Sequence, residues 1–452
     1  MKALTRNRGN TQQVEVWLGE AARPVGTLSF TSQGQRQSSI FQYAPAWLAD
    51  PARFGISPDL PLLFDRQFRK APGHSDSVFH FAIADTEPDG WGCRVIARDH
   101  AKQRKQAASS GGTVTSPALT EMDYLLGVDD ISRVGALRLR DAEDRFVRAI
   151  EDGERGTPPL LELADILSAS HAVERGTETE RDLRYLRGRG TSLGGMRPKC
   201  TVIDEDGHLA IGKLPSIHDD RAVTKGEVLA LRLAALAGID AAQARIVFSE
   251  GVPVALIRRF DRVAGGRIPY LSATAMLQAS RDHEHAYTEI AERILSVAPD
   301  ARRDLAELWR RIVFNILITN VDDHLHNHGF LHVGHGQWQL APAFDLNPFP
   351  DKERELKTWL TEESGPSGSI DDALLAAPFF HLDPDAAVRI LGEVVRAVMQ
   401  WQAVAMSPGV EMTSQETDAF VPAFEHEQLD LAKRRLSSVR VQAEREKKGR
   451  GR

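Results

Sequence analysis

The sequence predicts an α+β fold in which a β-rich N-terminal subdomain precedes a mostly helical C-terminal region. Two observations carry this. Strand-forming residues alternate or cluster over 14–18 and 25–30 around a Gly/Pro turn, and again over 200–203 and 209–214. Past Tyr287 the apolar residues recur at helical spacing instead: Leu305, Leu308, Trp309, Ile312, Val313, Ile316 and Leu317 follow i, i+3, i+4, i+7.

Taken in order, the first hairpin is followed by Asp85-Thr-Glu87-Pro88-Asp89-Gly-Trp91-Gly, which leads into a helix. Residues 102–117 are rich in Ser, Gly, Gln and Lys and read as a linker or mobile loop. Strand-like pieces return near Ser132, a helical stretch covers 160–168, and 174–191 is charged, Gly-punctuated and expected to be exposed. Thr224-Lys-Gly-Glu227 opens a helix that Gly238 ends. Arg258-Arg259-Phe260-Asp261-Arg262 closes a strand at 252–257 and reads as an ion-paired network. The helix from Leu305 ends near Asn320, and short strands at 330–333 and 337–340 flank Gly334-His335-Gly336 as a hairpin. These pieces divide the chain into a β-rich subdomain (1–107), a mixed region (108–270), a helical region (271–440) and a basic, disordered tail (441–452).

Composition excludes several classes. With 452 residues the chain has length for two or three domains, and 42% hydrophobic with 26% charged residues is ordinary for a globular protein. No run of about 18 apolar residues could span a membrane, and Met1-Lys-Ala-Leu-Thr-Arg lacks an apolar leader. Two cysteines, Cys93 and Cys200, build neither a disulfide framework nor a Cys-based zinc site. A cytoplasmic location is expected. A net charge of −7 argues against coating of DNA by the whole chain.

The chemistry concentrates in Asn320-Val-Asp322-Asp323-His324-Leu-His326-Asn327 and Ala-Phe-Asp345-Leu. A carboxylate, an amide five residues on and a second carboxylate 23 residues on are the groups that phosphoryl transfer from ATP needs. One acid takes the acceptor hydroxyl's proton, and the Asn and second Asp hold magnesium. A protein kinase spells the same parts as H-R-D-x-x-x-x-N followed by D-F-G. Helix, polar loop, hairpin and acidic loop is the layout of a two-lobed, kinase-like fold. Upstream, Ser192-Leu-Gly194-Gly195-Met-Arg197-Pro-Lys199 offers close backbone approach and positive charge to phosphates. It is not a Walker A motif. Lys213, at a strand end, is a candidate for the α- and β-phosphates. Glu227 has two readings, ion-pair partner of Lys213 or part of a capping box with Thr224.

With these pieces in order, the chain resembles the HipA family of serine/threonine kinase toxins from toxin–antitoxin systems. The resemblance rests on Val25-Gly-Thr-Leu-Ser-Phe30, Pro88-Asp-Gly-Trp91-Gly, the Ser192–Lys199 segment, Arg259-Phe-Asp-Arg262, Asn320 to Asn327 and Ala341-Pro-Ala-Phe-Asp345. It implies Asp322 as catalytic base, Asn327 and Asp345 as Mg2+ ligands, Lys213 on the ATP phosphates, Gly194, Gly195, Arg197 and Lys199 covering them, and Ser192 as an autophosphorylation site. A dianionic phosphate on that loop would be repelled by ATP, which makes it an off-switch. It further implies a protein substrate, an aminoacyl-tRNA synthetase in typical members, and restraint by a small DNA-binding antitoxin in a dimeric complex, with DNA reached only through that antitoxin. The loop departs from the Gly-Ala-Gln-x-Lys of well-known members, and Asp323 adds a second acid beside Asp322.

Three other readings compete. His324, His326, His328, His332 and His335 resemble a metal cluster, which would suggest a hydrolase, but a hairpin there disperses them. A small-molecule kinase acting on aminoglycoside- or choline-like alcohols shares the Asp-x-x-x-x-Asn logic. A catalytically dead antitoxin corepressor is the non-enzymatic reading, against which Asp322, Asn327, Asp345 and Lys213 stand together.

Overall fold

The structure, a computed structural model, describes residues 11–34, 36–73, 76–109, 118–147, 162–187, 195–264, 266–280, 282–351 and 353–450. The chain folds into two compact units, neither contiguous in sequence. One comprises Met1–Asp219, Val247–His283 and Phe330–Trp338; the other Asp220–Ile246, Glu284–Gly329 and Gln339–Arg452.

The first unit opens on the predicted hairpin, β1 (Thr11–Leu18) against β2 (Arg23–Gln33), extended by β3 (Arg36–Tyr43), β4 (Gln67–Arg69) and β5 (Leu137–Arg140) in the order β4-β3-β2-β1-β5. Val14, Val16, Leu18, Leu28, Phe30 and Phe41 are buried, the period-2 face that the alternation predicts. Gly26 faces Val16, and a Cβ there would sit 2.3 Å from the Gln42 carbonyl, so only glycine fits. β5 reaches β1 from more than a hundred residues away, a pairing with no local signal.

A second sheet in this unit has the order β6 (Lys199–Ile203), β7 (Leu209–Lys213), β9 (Val252–Arg258), β8 (Ala244–Ser249). Its core is Val202, Ala210, Val254 and Leu256 packed with Trp91, Val95, Ile166 and Val173 of the flanking helices. The expected linker at 102–117 is corrected in its described part: the helix Gly90–Ser109 runs through it. Its Ala, Lys, Gln and Arg are strong helix formers, which outweighs their polarity. Likewise the segment expected to be exposed holds the helix Glu180–Leu186, which buries Leu183 and Leu186.

After β9 the Arg–Asp network forms as expected. Asp261 accepts from Arg259 (2.6 and 2.8 Å), Arg262 (2.7 Å) and the Gly135 backbone N–H (2.7 Å), while both guanidinium groups also donate to the carbonyls around Ser132 and Arg133. Burial alone would raise the Asp261 carboxyl; the two arginines outweigh it and hold the group far below the carboxylate range. A ribbon of β10 (Arg262–Val263) and β11 (Gly266–Arg267) follows, then β12 (Tyr270–Ser272).

The second unit is mostly helical. After β13 (His285–Ala286) the helices Tyr287–Val297 and Ala301–Leu317 pack together, and the latter also packs against Pro384–Val398. All seven apolar positions picked out from Leu305 to Leu317 are buried. Trp309 also donates its indole N–H to the Ala373 carbonyl (3.0 Å). Truncating such a residue costs about 3–5 kcal/mol. The hairpin appears as β14 (Gly329–Gly334) and β15 (Gln337–Leu340), in a sheet ordered β12-β14-β15, and its residues 330–338 belong to the first unit. β16 (Thr358–Trp359) pairs in parallel with β13.

The helix Val223–Leu236 starts one residue before Thr224 with no side-chain cap, so the Thr224–Glu227 capping box does not form. Gly238 (φ 79°) does end that helix, with its N–H on the Ala235 carbonyl. The helix Glu427–Arg450 covers 441–450 of the segment expected to be a disordered tail. Among the described residues no helix is long and apolar enough to cross a membrane.

Candidate functional site

In the second unit the site is built where the helix Ala301–Leu317 stops. Thr319 takes a left-handed conformation (φ 54°), its hydroxyl donates to the Ala423 carbonyl (3.0 Å), and the Asn320 N–H returns to the Asn315 carbonyl (2.8 Å). The chain then runs extended to a single 3-10 turn, Leu325–Asn327. Asn327 is buried and its side-chain N–H donates across the loop to the Asp322 carbonyl (3.2 Å). That bond fixes the amide's orientation. Asp322 is half-buried.

Asp323, the adjacent acid, is different in kind. It is buried, and its Oδ2 accepts from Tyr287 Oη, from Asn315 Nδ2 (2.8 Å) and from His328 Nε2 (2.8 Å), while its carbonyl accepts from Thr358 Oγ1 (2.7 Å). Burial alone pushes the Asp323 carboxyl up, but the His328 imidazole and the Tyr287 hydroxyl outweigh it and hold it below the usual range. The two neighbouring acids thus differ: Asp323 is buried and engaged by three donors, whereas Asp322 is half-buried.

Asp345 follows β15 in a left-handed conformation (φ 56°), which short polar residues tolerate. Its Oδ1 accepts from Asn347 Nδ2 (3.0 Å), and the Asn347 backbone N–H donates to Asn320 Oδ1 (3.2 Å). Backbone bonds from Phe349 to Thr319 (3.1 Å) and from Lys357 to Val321 (3.2 Å) tie the same two loops. Asp322, Asn327 and Asp345 therefore sit on loops joined by direct hydrogen bonds. Neither Asn315 nor Asn347 is picked out by the sequence, and Asn320 enters there only as the first residue of the catalytic stretch, without a role. The only sequence signal for the first is a polar residue on the buried face of an apolar helix.

The nucleotide-loop residues lie in the first unit. Ser192 and Gly194 are outside the described residues. Gly195 (φ 93°) accepts at its carbonyl from the Trp91 N–H (3.3 Å). Lys199 is buried and its ammonium pairs with Asp89 at 2.7 Å, also reaching the Gly195 carbonyl at 3.3 Å. Asp89 in turn accepts from the Gly92 N–H (2.6 Å) at the start of the helix Gly90–Ser109. Asp89 thus joins the Pro88-Asp-Gly-Trp91 motif to the glycine loop, a role that its place as an acid opening a helix could have suggested. Arg197 pairs with Asp219. Lys213 is buried at the end of β7, opposite Lys199 in register.

The histidines do not converge. His328 serves Asp323, His324 and His326 meet edge to face at 5.8 Å, and His332 stacks on Phe54 at 3.8 Å. Among the described residues the one set of three close ligands is Asp204, Asp206 and His208, in the exposed β6–β7 turn.

Comparison with known proteins adds to this geometry. Residues 14–110 match the HipA N-terminal domain and residues 191–402 the HipA-like C-terminal domain. The Sinorhizobium fredii protein named Putative kinase Y4mE is 25% identical over 326 residues, covering 68% of this chain and 71% of that protein. A second from that organism, named Putative kinase Y4dM, is 28% identical over 150 residues, 30% of this chain and 36% of its own length. Among solved structures, HipA of Shewanella oneidensis, in a complex with HipB and operator DNA, superposes with a TM-score of 0.64 at 17% identity, covering 94% of this chain and 97% of that one. That likeness shows a shared mixed helix-and-sheet fold.

Proposed function

The chain belongs to the HipA family of kinases, and from that premise we propose that it is an ATP-dependent serine/threonine-protein kinase that also phosphorylates itself on Ser192. The observation that carries this is the division of labour between neighbouring acids: Asp323 is consumed by three donors, while Asp322 stays half-exposed with Asn327 folded back on its carbonyl.

The donor set suits Mg2+, a hard cation that prefers carboxylate and amide oxygens. Asn327 Oδ1 and the Asp345 carboxylate are those oxygens. Bound Mg-ATP supplies the γ-phosphoryl group and the cation that offsets its charge. Asp322 accepts the proton of the acceptor hydroxyl. Lys213 is assigned to the phosphates for its positive charge, and Gly194 and Gly195 for their backbone N–H groups. Arg197, partly exposed on Asp219, can exchange its carboxylate for a phosphate oxygen. Lys199, buried on Asp89, holds that loop in shape. The proposed partners are a protein substrate of the translation machinery, such as an aminoacyl-tRNA synthetase, and a small DNA-binding antitoxin like the HipB seen with Shewanella HipA. The proposed setting is the cytoplasm.

The test is incubation of the purified chain with Mg-ATP, followed by peptide mass spectrometry. Phosphate on Ser192 is expected. Nucleotide-dependent transfer to small alcohols with none to protein would replace this reading with a small-molecule phosphotransferase. No transfer to any acceptor would leave a binding protein.

A further inference from the structure

We propose that Asn315, Asn320 and Asn347 form a directed hydrogen-bond relay through which the buried Asp323 positions Asp345 for metal binding. The inference rests on the reading of Asp345 as a Mg2+ ligand.

The direction of the relay follows from chemistry. A backbone N–H can only donate, so the Asn347 N–H at 3.2 Å requires Asn320 to present its oxygen there. Asn320 must then turn its NH2 the other way, where it donates to Asn315 Oδ1 at 3.0 Å. That sets Asn315 with its own NH2 toward Asp323, which accepts at 2.8 Å. At the far end Asn347 Nδ2 donates to Asp345 Oδ1 at 3.0 Å. The side-chain amides of Asn315 and Asn320 are thus oriented from both ends, although an amide's O and N are ordinarily interchangeable in shape, and Asn347 joins the relay through its backbone N–H on one side and its Nδ2 on the other. Asn315 and Asn320 are each 1% exposed, so neither can trade its partner for bulk water. Buried polar groups are costly unless satisfied, and a fully satisfied chain of them selects one geometry. Asp323 anchors it with Tyr287 and His328 on the same oxygen. These residues are positioning residues; none is assigned to substrate. Partners that orient a metal ligand from behind it typically change metal affinity by about 10–100-fold when removed.

The discriminating variant is Asn320→Asp, which preserves size and still accepts from the Asn347 N–H but cannot donate to Asn315. Asn347→Ala, at a partly exposed position, removes the donor to Asp345 without burying a charge. Metal binding is read directly as loss of the free Mn2+ EPR signal with a non-hydrolysable ATP analogue present, alongside the unfolding midpoint. Both variants are expected to bind Mn2+ about 10-fold or more weakly, with Asn347→Ala unfolding at the wild-type midpoint. Mn2+ affinity within twofold of wild type in Asn347→Ala, or in a folded Asn320→Asp, overturns the relay alone. A wild-type chain that binds no Mn2+ with the nucleotide overturns both the relay and the kinase reading.

Discussion

Two buried polar networks, one in each unit, look alike in composition and differ in how they end. The Arg259–Asp261–Arg262 knot closes on itself: one carboxylate is met by two guanidinium groups, and other guanidinium N–H groups lie on backbone carbonyls. The Asp323 network starts as deeply but runs outward through three asparagines to Asp345, which is half-buried. Burial of charge by itself therefore does not mark chemistry. A network whose charged groups all find their partners inside holds the fold, and one that leads outward to a half-buried carboxylate can serve a reaction.

The largest stability effect should come from breaking the closed knot. Asp261→Ala leaves the buried Arg259 and the half-buried Arg262 without their carboxylate and is expected to cost about 3–5 kcal/mol in urea unfolding. The knot is also acid-sensitive. The folded Asp261 carboxyl lies below its unfolded value, so its contribution is complete above about pH 4 and drains away as pH falls further. Fluorescence-monitored unfolding of wild type against Asp261→Asn at descending pH should show the difference shrinking.

The open network should respond more mildly to loss of one donor. Tyr287→Phe removes one of three donors on Asp323 and is expected to cost about 1–2 kcal/mol. A loss as large as that of Asp261→Ala would mean that the Asp323 network is a structural knot too.

His332 offers an effect confined to acid pH. Burial first, then the nearby positive charges of Arg23 and His335, lower its imidazole to about 4. The folded state therefore favours the neutral ring, whose contribution is complete above about pH 6.5 and is lost as pH falls toward about 4. His332→Phe keeps a ring against Phe54 and should flatten the stability profile in that window alone. An unchanged slope would show that the stack is not what sets it.

The sequence made the helix ending near Asn320, the hairpin after it and the Arg–Asp network legible, because each is written in local spacing: apolar period, Gly-His-Gly turn, adjacent opposite charges. It placed the base and metal-ligand candidates in one short region for the same reason. What it could not show are partnerships across long separations. Asp89 and Lys199 are 110 residues apart, and Asn320 and Asn347 are 27 apart. Before folding, Asn315 is only a polar interruption in an apolar helix. The linker expected at 102–117 failed for a related reason. Composition separates polar from apolar, whereas helix propensity depends on which polar residues are present, and Lys, Gln, Arg and Ala favour a helix.

The central claim is that Asp322, and not Asp323 beside it, takes the acceptor's proton. The most direct measurement is phosphate incorporation from labelled Mg-ATP by wild type and Asp322→Asn, each checked for its unfolding midpoint. The account predicts an unchanged midpoint and incorporation reduced by about 10²–10⁴-fold. Labelling of Asp322→Asn at the wild-type rate would contradict it.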